Sequence, residues 1–346
     1  MILIENLSRA GLRMMGFCRS TFFKRIDSSG FSFLLTVYRH ILRNCVYLYA
    51  IENKLPLPIG DENKLPDDYV EDEDSGFSVF GEEDCIEPAI NATLHIPTEL
   101  EHYMEKDAEY YNIVSNKNNV AWLPSIYFKR TLKQRLKEDC NTLLQMITLC
   151  GDWRQDKDQK LNNLQQLLEQ KHKDEKIIVF TQYSDTARYI YNQLNKRGVK
   201  NIGIVTGDTD NPTLIVEKFS PVSNEKPDIP KNEQYRVLIA TDVLSEGQNL
   251  QDAHVIVNFD LPWAIIRLIQ RAGRVDRIGQ TADVIYCYSF FPADDVERII
   301  NLRTRLNARI NENAHIVGSD EIFFEGNEQN LRDMFNERSG VLDDDE

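Results

Sequence analysis

Leu34, Leu35, Tyr38, Ile41, Leu42, Cys45, Val46 and Tyr49 recur at steps of three and four. That is the spacing of one helix face, and it predicts a buried helix behind the turn and start signal Ser28-Ser29-Gly30. Between Leu55 and Ile90 the apolar positions thin out around Asp67-Asp68-Tyr69-Val70-Glu71-Asp72-Glu73-Asp74. Too little remains there to bury, so a linker or long insertion is expected. From Thr98 to about Lys171 the pattern is helical again, with Leu100, Tyr103 and Met104 on one segment and Leu161, Leu164, Leu167 and Leu168 on the last.

Past residue 171 the period changes. Ile177-Ile178-Val179-Phe180, Ile202-Gly203-Ile204-Val205, Val237-Leu238-Ile239-Ala240, Val255-Ile256-Val257 and Val284-Ile285-Tyr286-Cys287-Tyr288 read as five short strands. Helices are expected between them at about Ser184–Arg197 (Ala187, Ile190, Tyr191 and Leu194 inward, closed by Gly198), Thr213–Phe219 and Trp263–Val275, with a surface loop over Ser220–Gln234. Continuous apolar strands alternating with helices predict an α/β fold, a parallel sheet covered on both faces. The chain divides into a helical region (1–58), an acidic linker (59–96), a second helical region (97–170), the α/β lobe (171–292) and a helical extension (293–346).

Composition adds exclusions. At 346 residues, 42% hydrophobic and 27% charged, the chain is an ordinary globular one with room for about two domains, and collagenous, mucin-like or wholly disordered classes fall away. The most apolar stretch, Phe31–Ile51, is broken by Arg39, His40, Arg43 and Asn44, so no membrane span is expected. Met1-Ile2-Leu3-Ile4-Glu5 carries an acid where a signal peptide has a basic flank. The six cysteines form no Cys-x-x-Cys pair and the six histidines no ligand spacing, so no metal is expected and the thiols read as reduced and cytoplasmic. The net charge of −15 is local in origin: residues 51–100 hold 14 acids and 2 bases, while residues 1–50 hold 7 bases and 2 acids. Whole-chain acidity therefore does not exclude a nucleic-acid partner.

In open parallel sheets ligands gather beyond the carboxyl ends of the strands. The loops there hold Thr181-Gln182-Tyr183, Thr206-Gly207-Asp208-Thr209 and Thr241-Asp242-Val243-Leu244-Ser245-Glu246-Gly247-Gln248-Asn249-Leu250, with hydroxyls and glycines suited to phosphate oxygens. Arg267, Arg271, Arg274 and Arg277 follow at intervals of four, three and three, and so project from a shared side of a helix and its end. Solvated basic faces are common, but this run sits within Gln270-Arg271-Ala272-Gly273-Arg274-Val275-Asp276-Arg277-Ile278-Gly279-Gln280. Its guanidinium groups offer planar, permanently charged donors to phosphoryl oxygens.

Together these segments resemble superfamily 2 helicase-like ATPases. Gln270–Gln280 is similar to motif VI, Thr241–Gln251 to motif V and Ile178–Tyr183 to motif IV, while Leu261-Pro262-Trp263 sits where the Swi/Snf-like bacterial branch carries its tryptophan. The resemblance spans roughly 156–300. It implies the second RecA-like lobe of a two-lobe motor, with residues 1–58 as inter-lobe material. By motif position Arg274 and Arg277 would be catalytic arginine fingers, with Gln270 helping to place them or the γ-phosphate. Glu246, Gly247 and Asn249 would lie at the nucleotide, Asn249 at its ribose. Arg271, grouped with them, is expected to brace the interdomain or nucleic-acid side. Gln182, Gly207, Thr209 and Thr241 would face a phosphodiester backbone, and Trp263 would stack on sugar or base or else fill the core. The implied cofactors are ATP and Mg2+, and the implied nucleic acid is duplex DNA.

A motor also needs a P-loop and an Asp-Glu pair ending an apolar strand. No Gly-Lys dipeptide occurs in these 346 residues, and no Asp-Glu pair follows such a strand. The expectation is that the first lobe is absent, that a P-loop partner in cis or trans holds most of the ATP and Mg2+, and that the chain alone does not turn over ATP. A non-catalytic module that binds nucleic acid or protein with the same fold is the alternative.

Overall fold

In a computed structural model of the protein, the described residues are 22–61, 93–117, 120–245, 248–262, 265–293 and 296–298. Arg9, Arg13 and Arg19, the acidic run 67–74, Glu246, Gly247, Trp263 and most of the expected extension 293–346 lie outside them.

α1 (Gly30–Glu52) leads into β1 (Leu57–Asp61). After the acidic stretch come β2 (Thr93–Leu94), α2 (Leu100–Met104), α3 (Asp107–Ser115), β3 (Val120–Leu123), α4 (Leu132–Cys150), β4 (Trp153–Arg154) and α5 (Gln159–Gln166). The expected start signal is a true cap: Ser29 is extended, and its hydroxyl accepts from the Phe31 amide at 3.2 Å. α1 buries Leu34, Leu35, Tyr38, Ile41, Leu42, Cys45 and Val46, and it packs against α2, α3 and α4. Removing each such side chain from water contributes roughly 1.5–3 kcal/mol.

The stretch from 98 to 171 is not wholly helical. β1 pairs antiparallel with β3, and β2 with β4. Each pair joins one end of the acidic stretch to a segment later in the chain, so the partners of β3 and β4 lie outside the window in which helix and strand patterns compete.

The lobe alternates β5 (Ile177–Phe180), α6 (Ser184–Lys196), β6 (Ile202–Val205), α7 (Pro212–Phe219), β7 (Val237–Ala240), β8 (Val255–Asn258), α8 (Ile265–Ala272) and β9 (Tyr286–Ser289). The five strands form the expected RecA-like parallel sheet, in the order β6-β7-β5-β8-β9. Strand alternation divides the core in two. Ile177, Val179, Val237, Ile239, Val255 and Val257 share one apolar cluster with Ala187, Ile190 and Leu194 of α6, which in turn contacts α1. Ile178, Phe180, Leu238, Ala240 and Ile256 pack with Val216 and Phe219 of α7.

The second face of α6 was not visible in its own periodicity. Tyr189, rather than Tyr191, is fully buried, because Phe31 of α1 stacks on its ring at 4.6 Å. Gly30 is required beside it: a Cβ there would lie 2.4 Å from the Trp153 ring. Gly198 closes the turn after α6 with φ +86, a conformation that favours glycine. α8 ends at Ala272, before the expected Val275 and just before Gly273, whose backbone freedom disfavours continuation.

Candidate functional site

The order β6-β7-β5-β8-β9 places the carboxyl ends of β5, β7 and β8 side by side where the chain switches direction of travel across the sheet. Asp260, two residues beyond β8 and fully buried, joins their loops. Its Oδ2 accepts from Ser28 Oγ at 2.6 Å and Thr181 Oγ1 at 2.5 Å, and its Oδ1 accepts from the Gln182 amide at 2.9 Å. Gln182 Nε2 donates to the Leu261 carbonyl at 3.0 Å. A buried carboxylate is tolerable only with such a set of donors.

Arg271 is the second centre. It is 0% exposed, the largest fully buried side chain among the described residues. Its Nε and Nη2 form a two-pronged pair with Asp242 at 2.6 and 3.0 Å, and its Nη1 donates to Asn258 Oδ1 at 3.0 Å and the Asp260 carbonyl at 3.3 Å. The guanidinium also lies 5.3 Å from the Phe180 ring centroid. This arrangement fixes the loop after β7 to the end of β8. Arg271, expected at the nucleotide or bracing the interdomain or nucleic-acid side, has these donors directed into the lobe.

The remaining expected residues spread around this core. Arg277 lies in the exposed turn past α8, where its Nε donates to the Gly273 carbonyl at 2.9 Å and its Nη1 to Asn249 Oδ1 at 3.5 Å. Arg277 and Asn249, distant in sequence, are thus brought together. Asn249 Nδ2 also donates to the Ser223 carbonyl at 3.3 Å, tying the 220–234 loop to the same edge. Arg274 is half-buried and Gln270 exposed. Arg267 approaches Asp242 at 3.5 Å.

Gly207 is exposed and Thr209 half-buried. Thr209 Oγ1 accepts from the Thr206 amide at 2.9 Å and so shapes the turn. Thr241 and Gln182 are buried, at 0% and 3% exposure. Thr241 Oγ1 and Gln182 Oε1 nevertheless have no hydrogen-bond partner among the described residues.

A seam of charge and hydroxyl groups runs from this pole to the helical region. Asp185, at the first turn of α6, accepts from Arg39 at 2.5 and 3.0 Å and from Arg25 at 3.0 Å, and Arg25 lies 3.9 Å over the Tyr183 ring. Burial pushes the Asp185 carboxyl up, but Arg39 and Arg25 outweigh it and hold the group below the ordinary aspartate range. Asp27 behaves oppositely. Burial, reinforced by Asp260 and Glu297 and only partly offset by Lys160, pushes its pKa up to about 7. Sequence reasoning missed Asp242, Asn258 and Asp260 as site residues, although each sits within two positions of a strand end, and it missed Ser28 and Asp185 as their long-range partners.

Residues 159–279 match the helicase conserved C-terminal domain. The protein named "Uncharacterized ATP-dependent helicase YqhH" of Bacillus subtilis (strain 168) is 34% identical over 131 residues, which is 37% of this chain and 21% of that protein. "ATP-dependent RNA helicase DBP3" of Gibberella zeae is 30% identical over 125 residues, 36% of this chain and 19% of that protein. The matches thus span about a fifth of these curated relatives. Among solved structures, the C-terminal part of the Fun30 ATPase domain aligns with a TM-score of 0.36 at 20% identity over 49% of this chain and 57% of that one, too distant to carry an argument. The α/β segment is a helicase-like C-terminal lobe.

Proposed function

We propose that this lobe is the second half of a nucleic-acid-dependent ATPase of the Swi/Snf-like branch that translocates on duplex DNA. The observation that carries the reading is the buried Arg271–Asp242 pair with Arg277 beside Asn249. One arginine fixes the strand-end loops from within, and another is held at the rim with an exposed side chain. In this reading Arg274 and Arg277 are arginine fingers, Gln270 helps to place them, and Glu246, Gly247 and Asn249 line the nucleotide. Gly207 and Thr209 meet the phosphodiester backbone, with Gln182 and Thr241 just below them, and Trp263 stacks on sugar or base.

The residues present fit one side of a nucleotide. Arg277 and Arg274 supply positive charge where phosphoryl oxygens would lie, and Thr241 Oγ1 and Gln182 Oε1, without a hydrogen-bond partner among the described residues, offer further polar groups. They do not supply a triphosphate cradle, since no Gly-Lys dipeptide is present in the 346 residues, so a P-loop lobe from another polypeptide or another stretch of chain is required. With Mg2+ bound beside it, ATP would supply the phosphoryl group that passes to water. Arg277 and Arg274 stabilise the charge on that group, an effect typically worth ~10³–10⁵ in rate.

Steady-state ATP hydrolysis, measured for the chain alone and with a P-loop lobe, with duplex DNA, duplex RNA or neither, tests the reading. The expected result is DNA-stimulated turnover only with the added lobe, reduced about 10³-fold or more by Arg277→Ala or Arg274→Ala. Turnover indifferent to those changes removes the finger assignment, and stimulation by RNA alone moves the substrate to RNA. Salt-dependent DNA affinity with no hydrolysis under any pairing leaves a non-catalytic binding module.

A further inference from the structure

The hydroxyls between α1 and α6 have a direction. Ser28 Oγ donates to Asp260 Oδ2 at 2.6 Å and lies 2.8 Å from Thr186 Oγ1, which lies 2.7 Å from Ser32 Oγ. Ser28 has one proton and gives it to the carboxylate, so Thr186 must donate to Ser28, and Ser32 to Thr186. Three hydroxyl dipoles therefore run head to tail and end on Asp260, and all four side chains are fully buried. Chains of this kind strengthen each bond in turn where water is excluded.

Asp260 passes this constraint on to the site by three routes. Its carboxylate holds Thr181 Oγ1 and the Gln182 amide, and its carbonyl accepts from Arg271, the residue that fixes the Asp242 loop. Lys160 makes a parallel tie, with Nζ donating to the Asp27 carbonyl at 2.5 Å and the Phe259 carbonyl at 3.0 Å. Ser28, Ser32 and Asp27 all lie more than a hundred residues before the matched segment 159–279.

We infer that Ser28 and Asp260 are positioning residues through which the N-terminal helical region sets the geometry of the strand-end loops, so that the lobe does not hold its site unaided. The link to nucleic-acid binding rests on the function proposed above; the link to loop geometry does not.

The test uses the full chain, with Ser28→Ala compared against Ser32→Ala. Each deletes one buried hydroxyl of the same seam, but only the first removes a donor from Asp260. Amide hydrogen exchange across Thr181–Asp185 and anisotropy of a fluorescent, short blunt duplex DNA are the readouts. Ser28→Ala is expected to speed exchange at Gln182 about five-fold and to weaken duplex binding about three-fold or more, and Ser32→Ala to change neither by more than about 1.5-fold. A merely structural role moves both variants alike, so equal effects overturn the inference, as does unchanged Gln182 exchange in Ser28→Ala. If Ser28→Ala melts too low to assay, Ser28→Cys, which leaves no cavity, being slightly larger, and keeps only a weak donor, is expected to act in the same direction. Faster exchange in a protein whose wild type ignores duplex DNA upholds the positioning role and removes the DNA reading.

Discussion

At the carboxyl pole of the sheet Arg271, Asp242 and Asp260 bond across three separate stretches of chain, with Arg271 and Asp260 fully withdrawn from solvent. At the amino pole, His172 and His254 both reach Glu175, and His172 Nε2 lies 2.9 Å from Tyr288 OH. This second group borders a partly exposed edge strand and is closed on itself: the Glu175 side chain is 36% exposed. Both poles are rich in polar contacts. The difference is that the carboxyl pole buries Arg271 and Asp260 and still leaves Thr241 Oγ1 and Gln182 Oε1 without a hydrogen-bond partner among the described residues. Burying unsatisfied groups is costly, and such cost concentrates where a ligand or a partner surface is to be met.

The sharpest way to break the contrast is Arg271→Ala. It leaves Asp242 without its bidentate partner and removes the cation from beneath the Phe180 ring, so unfolding by urea should show a loss of about 3–5 kcal/mol. Arg271→Lys should recover only part of this, because an ammonium cannot span both Asp242 oxygens.

Next comes Asp27→Asn, which should stabilise. An acid raised from 3.8 to about 7 keeps its proton in the folded chain where the unfolded chain releases it. Stability is therefore fullest below pH 3.8, falls as pH rises towards 7 and is flat beyond. The asparagine variant should gain on the order of 2–4 kcal/mol at pH 8 and close to nothing at pH 4, read from urea midpoints at the two values.

The smallest effect belongs to the amino pole. The hydrogen bond from His172, aided by His254, holds the Glu175 carboxyl below its ordinary value of 4.5. Its contribution is thus present above pH 4.5 and disappears as pH falls through the folded value. Because the group is more than a third exposed, Glu175→Gln should cost less than about 1 kcal/mol at pH 7 and nothing in acid. A loss there matching Arg271→Ala would erase the distinction between the poles.

Local pattern carried much of the lobe. Four-residue apolar runs announced β5, β6 and β7, and the 3–4 spacing of Leu34 to Val46 announced the buried face of α1. Strand order was not legible, since nothing in Ile177-Ile178-Val179-Phe180 says that both its neighbours come later in the chain. The arginine spacing placed four cations along one helix side and its end but could not say that Arg271 points into Asp242 while Arg277 stays exposed. That depends on where α8 ends and on the acid waiting beneath it. The pairs β1–β3 and β2–β4 were hidden for a related reason: two- to five-residue strands become strands only through partners on the far side of an acidic stretch. Asp260 looked like an ordinary loop acid until Ser28, Thr181 and Gln182 converged on it.

The central place of β5 also shapes how the chain is made. During synthesis Ile177–Phe180 leaves the ribosome with both edges bare and stays so until Val237 and then Val255 arrive to pair with Ile177. A bare, wholly apolar strand is the kind that sticks to other nascent chains. α6, made directly after β5, shares an apolar cluster with Ile177 and Val179 through Ala187, Ile190 and Leu194, and α1, already synthesised and in contact with α6, can hold it there, so one side of β5 is sheltered before its sheet exists.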